Sequence, residues 1–151
     1  MSSCPACGNQ GHKVSKVTVV SHSGLAGRAS LAGVRAWRFC RTPSCAVGYY
    51  GTDCKTVVDL DALETTPYPK SDDPNRLVCF CFGHTVAAVI DDVRQNEAPT
   101  LQASITDACR RGLDECEEKN PEGRCCLGNV AAVIRMAKGS PAPESELDCC
   151  K

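Results

Sequence analysis

Four cysteines in the second half of the chain have the residue type and spacing of iron–sulfur ligands. Cys79 and Cys81 are separated by one residue, and Cys116 and Cys126 follow at longer intervals. A C-x-C pair can hold one edge of a diiron cluster, and two later thiolates on a turn can close the other edge. The alternative is that these thiols bind a second zinc ion or are merely buried, because sulfur spacing alone does not identify the metal.

The first half contains a second set of paired cysteines, which is typical of a zinc site. Cys4 and Cys7 have two residues between them, and Cys40 and Cys45 have four. Two such pairs match a closed tetrahedral site in which four thiolates hold one zinc ion. That ion would stabilise a domain too small to bury a conventional core.

Three further residues of the first half are metal-ligand candidates of lower rank. Cys54 could replace one of the four thiols, although we expect it to be a simple buried thiol. His12 and His22 are expected to be ordinary loop histidines, because four cysteines already complete the tetrahedron.

Cysteine content and size indicate the class of protein. The 151 residues include 13 cysteines, and aromatic residues make up only 5% of the chain. This composition favours two small metal-stapled domains over one conventional core. No apolar segment is long enough for a signal peptide or a spanning helix, so we expect a cytoplasmic protein. In that reducing compartment, many cysteines indicate metal or redox chemistry rather than disulfides.

The charge distribution argues against nucleic acid and acidic membranes as partners. The formal net charge is −1; residues 1–68 have a balance of +3 and residues 69–151 a balance of −4. The positive excess is weak for a nucleic-acid-binding zinc ribbon. The aromatic side chains near the second cysteine pair are as easily explained by packing: Trp37, Phe39, Tyr49 and Tyr50.

Local patterns predict strands before residue 65 and helices after residue 81. Strand-like runs cover 14–20, 34–40 and 55–60, and a loop is expected at 21–33. Three prolines between 65 and 74 interrupt regular structure and indicate a boundary. Apolar residues at helical spacing predict helices over 86–93, 99–112 and 126–138.

The helices are expected to position the second set of cysteines. Cys81 should lie just before the first helix and Cys126 at the start of the third, where unpaired N–H groups favour thiolates. Cys109 falls on the apolar face of the second helix and is expected in the core.

The predicted fold is therefore of the α+β class, with a small zinc-stapled β-rich domain followed by a small all-helical [2Fe-2S] domain. The expected borders are 1–66 for the zinc-binding domain, 67–77 for a linker, 78–138 for the cluster domain and 139–151 for a flexible tail. The residue pattern does not suggest hydrolytic or transferase catalysis. Electron transfer and metal binding are favoured over conventional enzyme activity.

Two segments carry a family resemblance. Val78-Cys79-Phe80-Cys81-Phe82 and the run from Asn120 to Val130 resemble the [2Fe-2S] domain related to bacterioferritin-associated ferredoxin. Together with the cysteine pairs of the first half, residues 4–138 resemble the N-terminal region of CopZ-type copper chaperones, which holds zinc and a [2Fe-2S] cluster.

The resemblance implies that Cys79, Cys81, Cys116 and Cys126 are the cluster ligands. Cys125 is a rival for the fourth position. Counting from Cys126 keeps the third helix amphipathic, and we therefore favour Cys126.

The chain departs from the full-length family pattern at its end. It has no second C-x-x-C segment within a ferredoxin-like βαββαβ unit, the element with which such chaperones carry Cu(I). Cys149 and Cys150 end the tail as adjacent thiols, which either bind a soft ion such as Cu(I) or Hg(II) or have no role.

Three functions follow from this reading. The first is a cytosolic protein of copper homeostasis that passes single electrons through a [2Fe-2S] cluster and reduces Cu(II) to Cu(I). Its partners would be an unidentified electron donor and a copper-transporting ATPase or other metal-handling protein, with no nucleic acid and no membrane insertion. The alternatives are a non-redox module that binds copper or mercury or acts as a regulator, and a ferredoxin partner of an iron-storage protein or oxidoreductase.

Overall fold

The chain divides into two units, and the first is discontinuous in sequence. The computed structural model describes residues 2–25, 28 and 31–139. The first unit consists of residues up to 72 together with Glu117–Arg124, and the second of Asp73–Cys116 and the chain from 125. The predicted α+β class is confirmed. The borders expected for the domains, linker and tail remain predictions.

A four-stranded antiparallel sheet forms the centre of the first unit. Its strands pair in chain order: β1 His12–Val14, β2 Trp37–Phe39, β3 Val47–Gly51 and β4 Val57–Asp59. Every residue of β3 is buried, as expected for an inner strand that lies between two neighbours. The strands predicted at 34–40 and 55–60 are confirmed in their central residues.

The strand predicted at 14–20 is wrong for most of its length, because helix α1 covers Lys16–His22. The β-branched run favours a strand by intrinsic propensity. Ser15 caps the helix instead, its side chain accepting a hydrogen bond from the Thr18 N–H at 3.3 Å. Thr18 and Val19 are fully buried, so tertiary packing overrides propensity.

The core of the first unit has two parts. The larger contains six buried side chains: Val19, Leu31, Trp37, Phe39, Tyr49 and Val58. The smaller consists mainly of cysteines and the side chains around them: Cys4, Cys40, Cys45, Val47 and Tyr50. Thiols thus form part of the packed interior, as expected for a domain stabilised by metal.

The second unit is mainly helical. Its helices are α2 Val86–Gln95, α3 Thr100–Arg110 and α5 Leu127–Ala137, and a one-turn helix, α4, covers Cys116–Lys119 at the border of the units. The three predicted helices are confirmed. The prediction that this unit is all-helical is wrong, because β5 Leu77–Cys79 and β6 His84–Thr85 form a short antiparallel hairpin.

The long helices of the second unit pack around one apolar core. Thr85 caps α2 by accepting from the Ala88 N–H at 3.1 Å. The core side chains come from the hairpin and the three long helices: Val78, Val86, Val89, Ile105, Leu127, Val130, Val133 and Ile134. Among the helices of the described residues, none is long and apolar enough to cross a bilayer.

Candidate metal centres

The four thiols predicted to bind zinc lie together in the first unit. The sulfur atoms of Cys4, Cys7, Cys40 and Cys45 are all within 4.8 Å of one another. The Sγ atoms of Cys4 and Cys45 are 3.9 Å apart, and those of Cys7 and Cys40 are 3.7 Å apart. A tetrahedron with zinc–sulfur bonds of about 2.3 Å has edges of about 3.8 Å. The four thiols therefore have the size and composition of a site for one zinc ion.

The first cysteine pair is positioned by a tight turn. The Gly8 N–H donates to the Cys4 carbonyl at 2.8 Å, and the Cys4 N–H donates to the Asn9 carbonyl at 2.9 Å. Gly8 has a φ of 77°, in the left-handed region that glycine adopts without a Cβ clash. The turn therefore directs both thiols of its C-x-x-C segment toward one point.

The second cysteine pair is held from two sides. The Cys40 N–H donates to the Gly48 carbonyl at 2.9 Å, and the Cys45 N–H donates to the Thr42 carbonyl at 3.1 Å. Lys70 Nζ donates to the carbonyls of Thr42 and Cys45 at 2.7 and 3.0 Å. This cation lies beside a site that four thiolates and one zinc ion would leave with net negative charge.

The Thr42 side chain also contacts the sulfur of Cys7. Asn9 Nδ2 donates to the Thr42 hydroxyl oxygen at 2.9 Å, and the Thr42 oxygen lies 3.4 Å from Cys7 Sγ. Because the Asn9 amide is the donor to that oxygen, the hydroxyl proton can be directed at the sulfur.

The thiols of the zinc set differ in acidity. The Thr42 hydrogen bond lowers the pKa of Cys7 to about 6. Burial raises the pKa of Cys4 to about 12 and also raises the pKa of Cys45. A bound cation would release the protons of the buried thiols.

Pairwise interactions link the thiols of the four cysteines predicted to bind the cluster, all within the second unit. Cys81 Sγ and Cys116 Sγ are 3.4 Å apart. The Cys126 thiol interacts with the thiols of both Cys79 and Cys116. Cys79, Cys116 and Cys126 are buried, and Cys81 is half-buried. One sulfur contact and two further thiol interactions thus link the four residues, which come from three separate stretches of backbone.

Backbone N–H groups point at two of these sulfurs. The Glu115 N–H donates to Cys81 Sγ at 3.3 Å. The N–H groups of Phe82 and Cys81 bond to the Cys79 sulfur. Donors aimed at thiolate sulfur stabilise its negative charge, so this environment suits an anionic cluster.

The thiols of this cysteine group differ in the direction of their pKa shifts. The hydrogen bond with the Cys126 thiol is the main cause that lowers the pKa of Cys79. The hydrogen bond with the Cys116 thiol is the main cause that raises the pKa of Cys81 and of Cys126.

Of the two thiols predicted to lie at the start of a helix, Cys126 does and Cys81 does not. Cys126 directly precedes α5, and its carbonyl accepts the Val130 N–H at 2.9 Å. Cys81 does not lie just before a helix, because Phe82, Gly83 and β6 separate it from α2. Its N–H donor comes from Glu115 instead.

The other cysteines have different surroundings. Cys109 is buried as expected, and burial raises its pKa to about 11. Cys54 was expected to be buried but is exposed. Cys125 is half-buried. The choice of Cys126 over Cys125 as the fourth cluster ligand remains a prediction. Cys149 and Cys150, the predicted soft-metal pair, lie outside the described residues.

The two histidines are not loop residues, contrary to expectation. His12 begins β1, and His22 ends α1 and is buried. His12 Nε2 lies 2.7 Å from the Glu122 carbonyl oxygen, to which it donates. Burial lowers the pKa of His12 to about 4 and also lowers the pKa of His22. His12 therefore acts as a neutral hydrogen-bond donor at neutral pH.

Sequence reasoning missed three residues that support the zinc thiols: Asn9, Thr42 and Lys70. Thr42 lies within the second cysteine pair, where a hydroxyl near a sulfur could have been anticipated. Lys70 lies in the stretch predicted as a linker, and its contacts are with backbone carbonyls, which leave no signal in the sequence.

Comparison with known proteins supports the zinc assignment and the fold. Residues 1–64 match the family zf_CopZ, described as a zinc binding domain. The chain is similar to the X-ray structure of the Archaeoglobus fulgidus CopZ N-terminal domain, with a TM-score of 0.68 and 24% sequence identity. That similarity covers 92% of this chain and 98% of the other. No curated protein matches the chain.

These comparisons confirm the resemblance to the CopZ type that the sequence indicated. The four-cysteine site of the first unit lies within the residues that match the zinc binding domain. The iron–sulfur relation of the second unit remains a prediction.

Proposed function

We propose that this chain is an electron-transfer and metal-binding protein of copper homeostasis that holds one structural zinc ion and one [2Fe-2S] cluster. The proposed zinc ligands are Cys4, Cys7, Cys40 and Cys45. The proposed cluster ligands are Cys79, Cys81, Cys116 and Cys126.

The geometry of the zinc thiols supports a structural role for that ion. Four sulfurs within 4.8 Å leave no open coordination position, which is the property of structural rather than catalytic zinc. The site also supplies part of the smaller core of the first unit. Zinc would therefore contribute folding free energy rather than chemistry.

The observation that carries the cluster proposal is the connected group of four cysteines in the second unit. The 3.4 Å contact between the Cys81 and Cys116 sulfurs gives one pair, and the interaction between Cys126 and Cys79 gives the other. A diiron cluster requires two pairs of thiolates, one pair for each iron. The N–H donors at Cys79 and Cys81 favour the anionic form.

Single-electron transfer is the chemistry that a [2Fe-2S] cluster would supply when bound. One electron converts Cu(II) to Cu(I), so the proposed reaction is balanced by one oxidation of the reduced centre. The match of residues 1–64 to the CopZ zinc-binding domain supports copper as the metal handled. We place the protein in the cytoplasm and propose a copper-transporting ATPase or another metal-handling protein as the recipient of Cu(I).

The test is metal analysis, sulfide analysis and electron paramagnetic resonance on the full chain purified without oxygen. We expect one zinc, two irons and two acid-labile sulfides per chain, and a paramagnetic signal on reduction. Addition of Cu(II) to the reduced protein should abolish the signal and yield Cu(I), trapped with a Cu(I)-specific chelator. Absence of iron and sulfide would overturn the proposal, and a cluster that does not reduce Cu(II) would overturn its copper chemistry.

A further inference from the structure

The segment that joins two proposed cluster ligands is built into the first unit. Glu117–Arg124 lies in sequence between Cys116 and Cys126. Its contacts assign it to the unit that contains the zinc thiols. We call these eight residues the ligand loop.

Side chains of the first unit donate hydrogen bonds to three backbone carbonyls of the ligand loop. These bonds run from Thr18 Oγ1 to Glu117 at 2.6 Å, from the Tyr49 hydroxyl to Pro121, and from His12 Nε2 to Glu122 at 2.7 Å. Tyr49 is fully buried, and burial is the main cause that raises its pKa, so it remains a donor. The loop is therefore anchored at its first residue and in its middle by donors of the sheet and α1.

An ion pair connects the ligand loop to the second zinc turn. Arg41 Nε lies 3.2 Å from Glu122 Oε2, and the Glu122 side chain is only 2% exposed. Arg41 directly follows Cys40, a proposed zinc ligand, and Glu122 lies four residues before Cys126, a proposed cluster ligand. A buried carboxylate needs its partner in place, so the position of Arg41 and that of the loop depend on each other.

The conformation of the loop is specific to this packing. Asn120 is buried, and its side chain accepts the Glu122 N–H at 3.0 Å and donates to the Arg124 carbonyl at 2.6 Å. Gly123 has a φ of 68°, and a Cβ atom there would lie 2.8 Å from Thr18 Oγ1. The Asn120 hydrogen bonds and the absence of a side chain at Gly123 therefore allow the turn to pack closely against Thr18.

From these contacts we infer that the ligand loop couples the two metal centres, with Glu122 as a positioning residue. Zinc orders the turn that carries Arg41, Arg41 and the three donors hold the loop, and the held loop fixes the flanking Cys116 and Cys126. Folding of the first unit then orders the loop before the cluster binds. The conformational entropy of the loop is therefore lost on folding and does not weaken cluster binding. Zinc occupancy thus controls how long the cluster is retained. This inference rests on the proposed function.

The first test compares Glu122→Gln with Glu118→Gln on the full chain. Both variants remove one carboxylate from the same loop, but the Glu118 side chain is exposed. With zinc content unchanged, we expect Glu122→Gln to lose its visible cluster absorption to an iron chelator at least about tenfold faster than wild type. Glu118→Gln should match wild type. Equal lifetimes for the two variants would overturn the inference.

If Glu122→Gln fails to retain zinc, Tyr49→Phe replaces it, because that change removes a single hydroxyl donor. The same selective shortening of cluster lifetime is expected, and a wild-type lifetime would contradict the inference.

The second test needs no iron. Amide hydrogen exchange over 117–124 is measured by mass spectrometry in the full chain with zinc alone and after zinc removal. We expect protection with zinc and its loss without zinc. Unchanged protection would overturn the coupling. A wild-type chain without any cluster would instead overturn the proposed function, and the exchange result would still decide the coupling.

Discussion

The two cysteine groups of this chain are assembled in different ways. The zinc thiols come from two short turns, and local backbone hydrogen bonds shape each turn. The cluster thiols come from the end of β5 and the hairpin loop that follows it, from the start of α4 and from the residue before α5. The connection between the last two is the ligand loop, which belongs to the first unit.

Because of this difference, the two groups depend to different degrees on the rest of the chain. A site made from local turns needs only its own unit, and metal binding and folding there are one event. The cluster group requires that a distant part of the chain be ordered first. We therefore expect that disturbing the first group damages both centres, whereas disturbing the second leaves the zinc site intact.

The largest effect is expected from Cys40→Ser. Structural zinc contributes about 10–16 kcal/mol of binding free energy, which is comparable to the whole stability of a domain. We expect loss of zinc, loss of the thermal unfolding transition of the first unit, and failure to retain the cluster. Mass spectrometry, calorimetry and visible absorption measure the three. Cys54→Ser is the matched control, since that thiol is exposed; a cluster of normal lifetime in zinc-free Cys40→Ser would contradict the comparison.

The next effect separates Cys126 from Cys125. Cys126→Ser removes a buried thiol that interacts with Cys79 and Cys116, so iron and sulfide content should fall to near zero. Cys125→Ser should keep most of both. Zinc content should be unchanged in the two variants. Full iron content in Cys126→Ser, or its loss in Cys125→Ser alone, would reverse the assignment.

A smaller effect tests the stability of the second unit by itself. The buried Asp92 carboxylate accepts hydrogen bonds from the Thr100 hydroxyl and from the Leu101 N–H at 3.0 Å, and so joins α2 to the start of α3. Asp92→Ala should lower the free energy of unfolding of this unit by about 2 kcal/mol. Urea unfolding followed by helical circular dichroism measures this value, and zinc content should not change.

Asp107→Ala provides the control for that measurement. Its carboxylate forms an exposed pair with Arg111 at 3.8 Å, which is worth about 0.5 kcal/mol or less. Equal losses in the two variants would show that the Asp92 contacts do not stabilise the unit.

The smallest effect is a pH dependence in the first unit. The pKa of His12 is about 4 in the folded chain against 6.5 for the unperturbed group, because burial and the charges of Arg124, Arg41 and Arg38 disfavour its protonation. The unfolded chain therefore binds the proton more readily, and stability falls as pH decreases from 6.5 toward 4. At pH 5.5 the loss attributable to His12 should be about 1 kcal/mol.

The difference between wild type and His12→Gln isolates this contribution from thiolate protonation at the zinc site. The free energy of unfolding of the zinc-loaded chain is measured at pH 7 and pH 5.5. We expect the variant to lose less stability than wild type over this interval. Parallel curves would exclude His12 as the titrating group.

Features with a local sequence signal were predicted well. Val86 and Val89 fall at helical spacing and are buried in α2, the first of the predicted helices. The two cysteine pairs of the first half were found by spacing alone, because a turn of fixed length determines where its thiols meet. These features depend on neighbours within a few residues.

Features that depend on distant packing were missed. The run from Val17 to Val20 has strand propensity, but burial of Thr18 and Val19 makes it helical. The ligand loop is held in the first unit by hydrogen bonds to its backbone carbonyls. Every residue has a backbone carbonyl, so these bonds leave no signal in the sequence. Spacing therefore cannot reveal where such a loop packs.

The most direct test of the central claim is a crystal structure of the full chain, purified without oxygen, with anomalous diffraction at the zinc and iron absorption edges. We expect one zinc peak surrounded by Cys4, Cys7, Cys40 and Cys45. We also expect two adjacent iron peaks surrounded by Cys79, Cys81, Cys116 and Cys126. A zinc peak in place of the irons, or metal-free thiols in the second unit of a chain that contains its zinc, would contradict it.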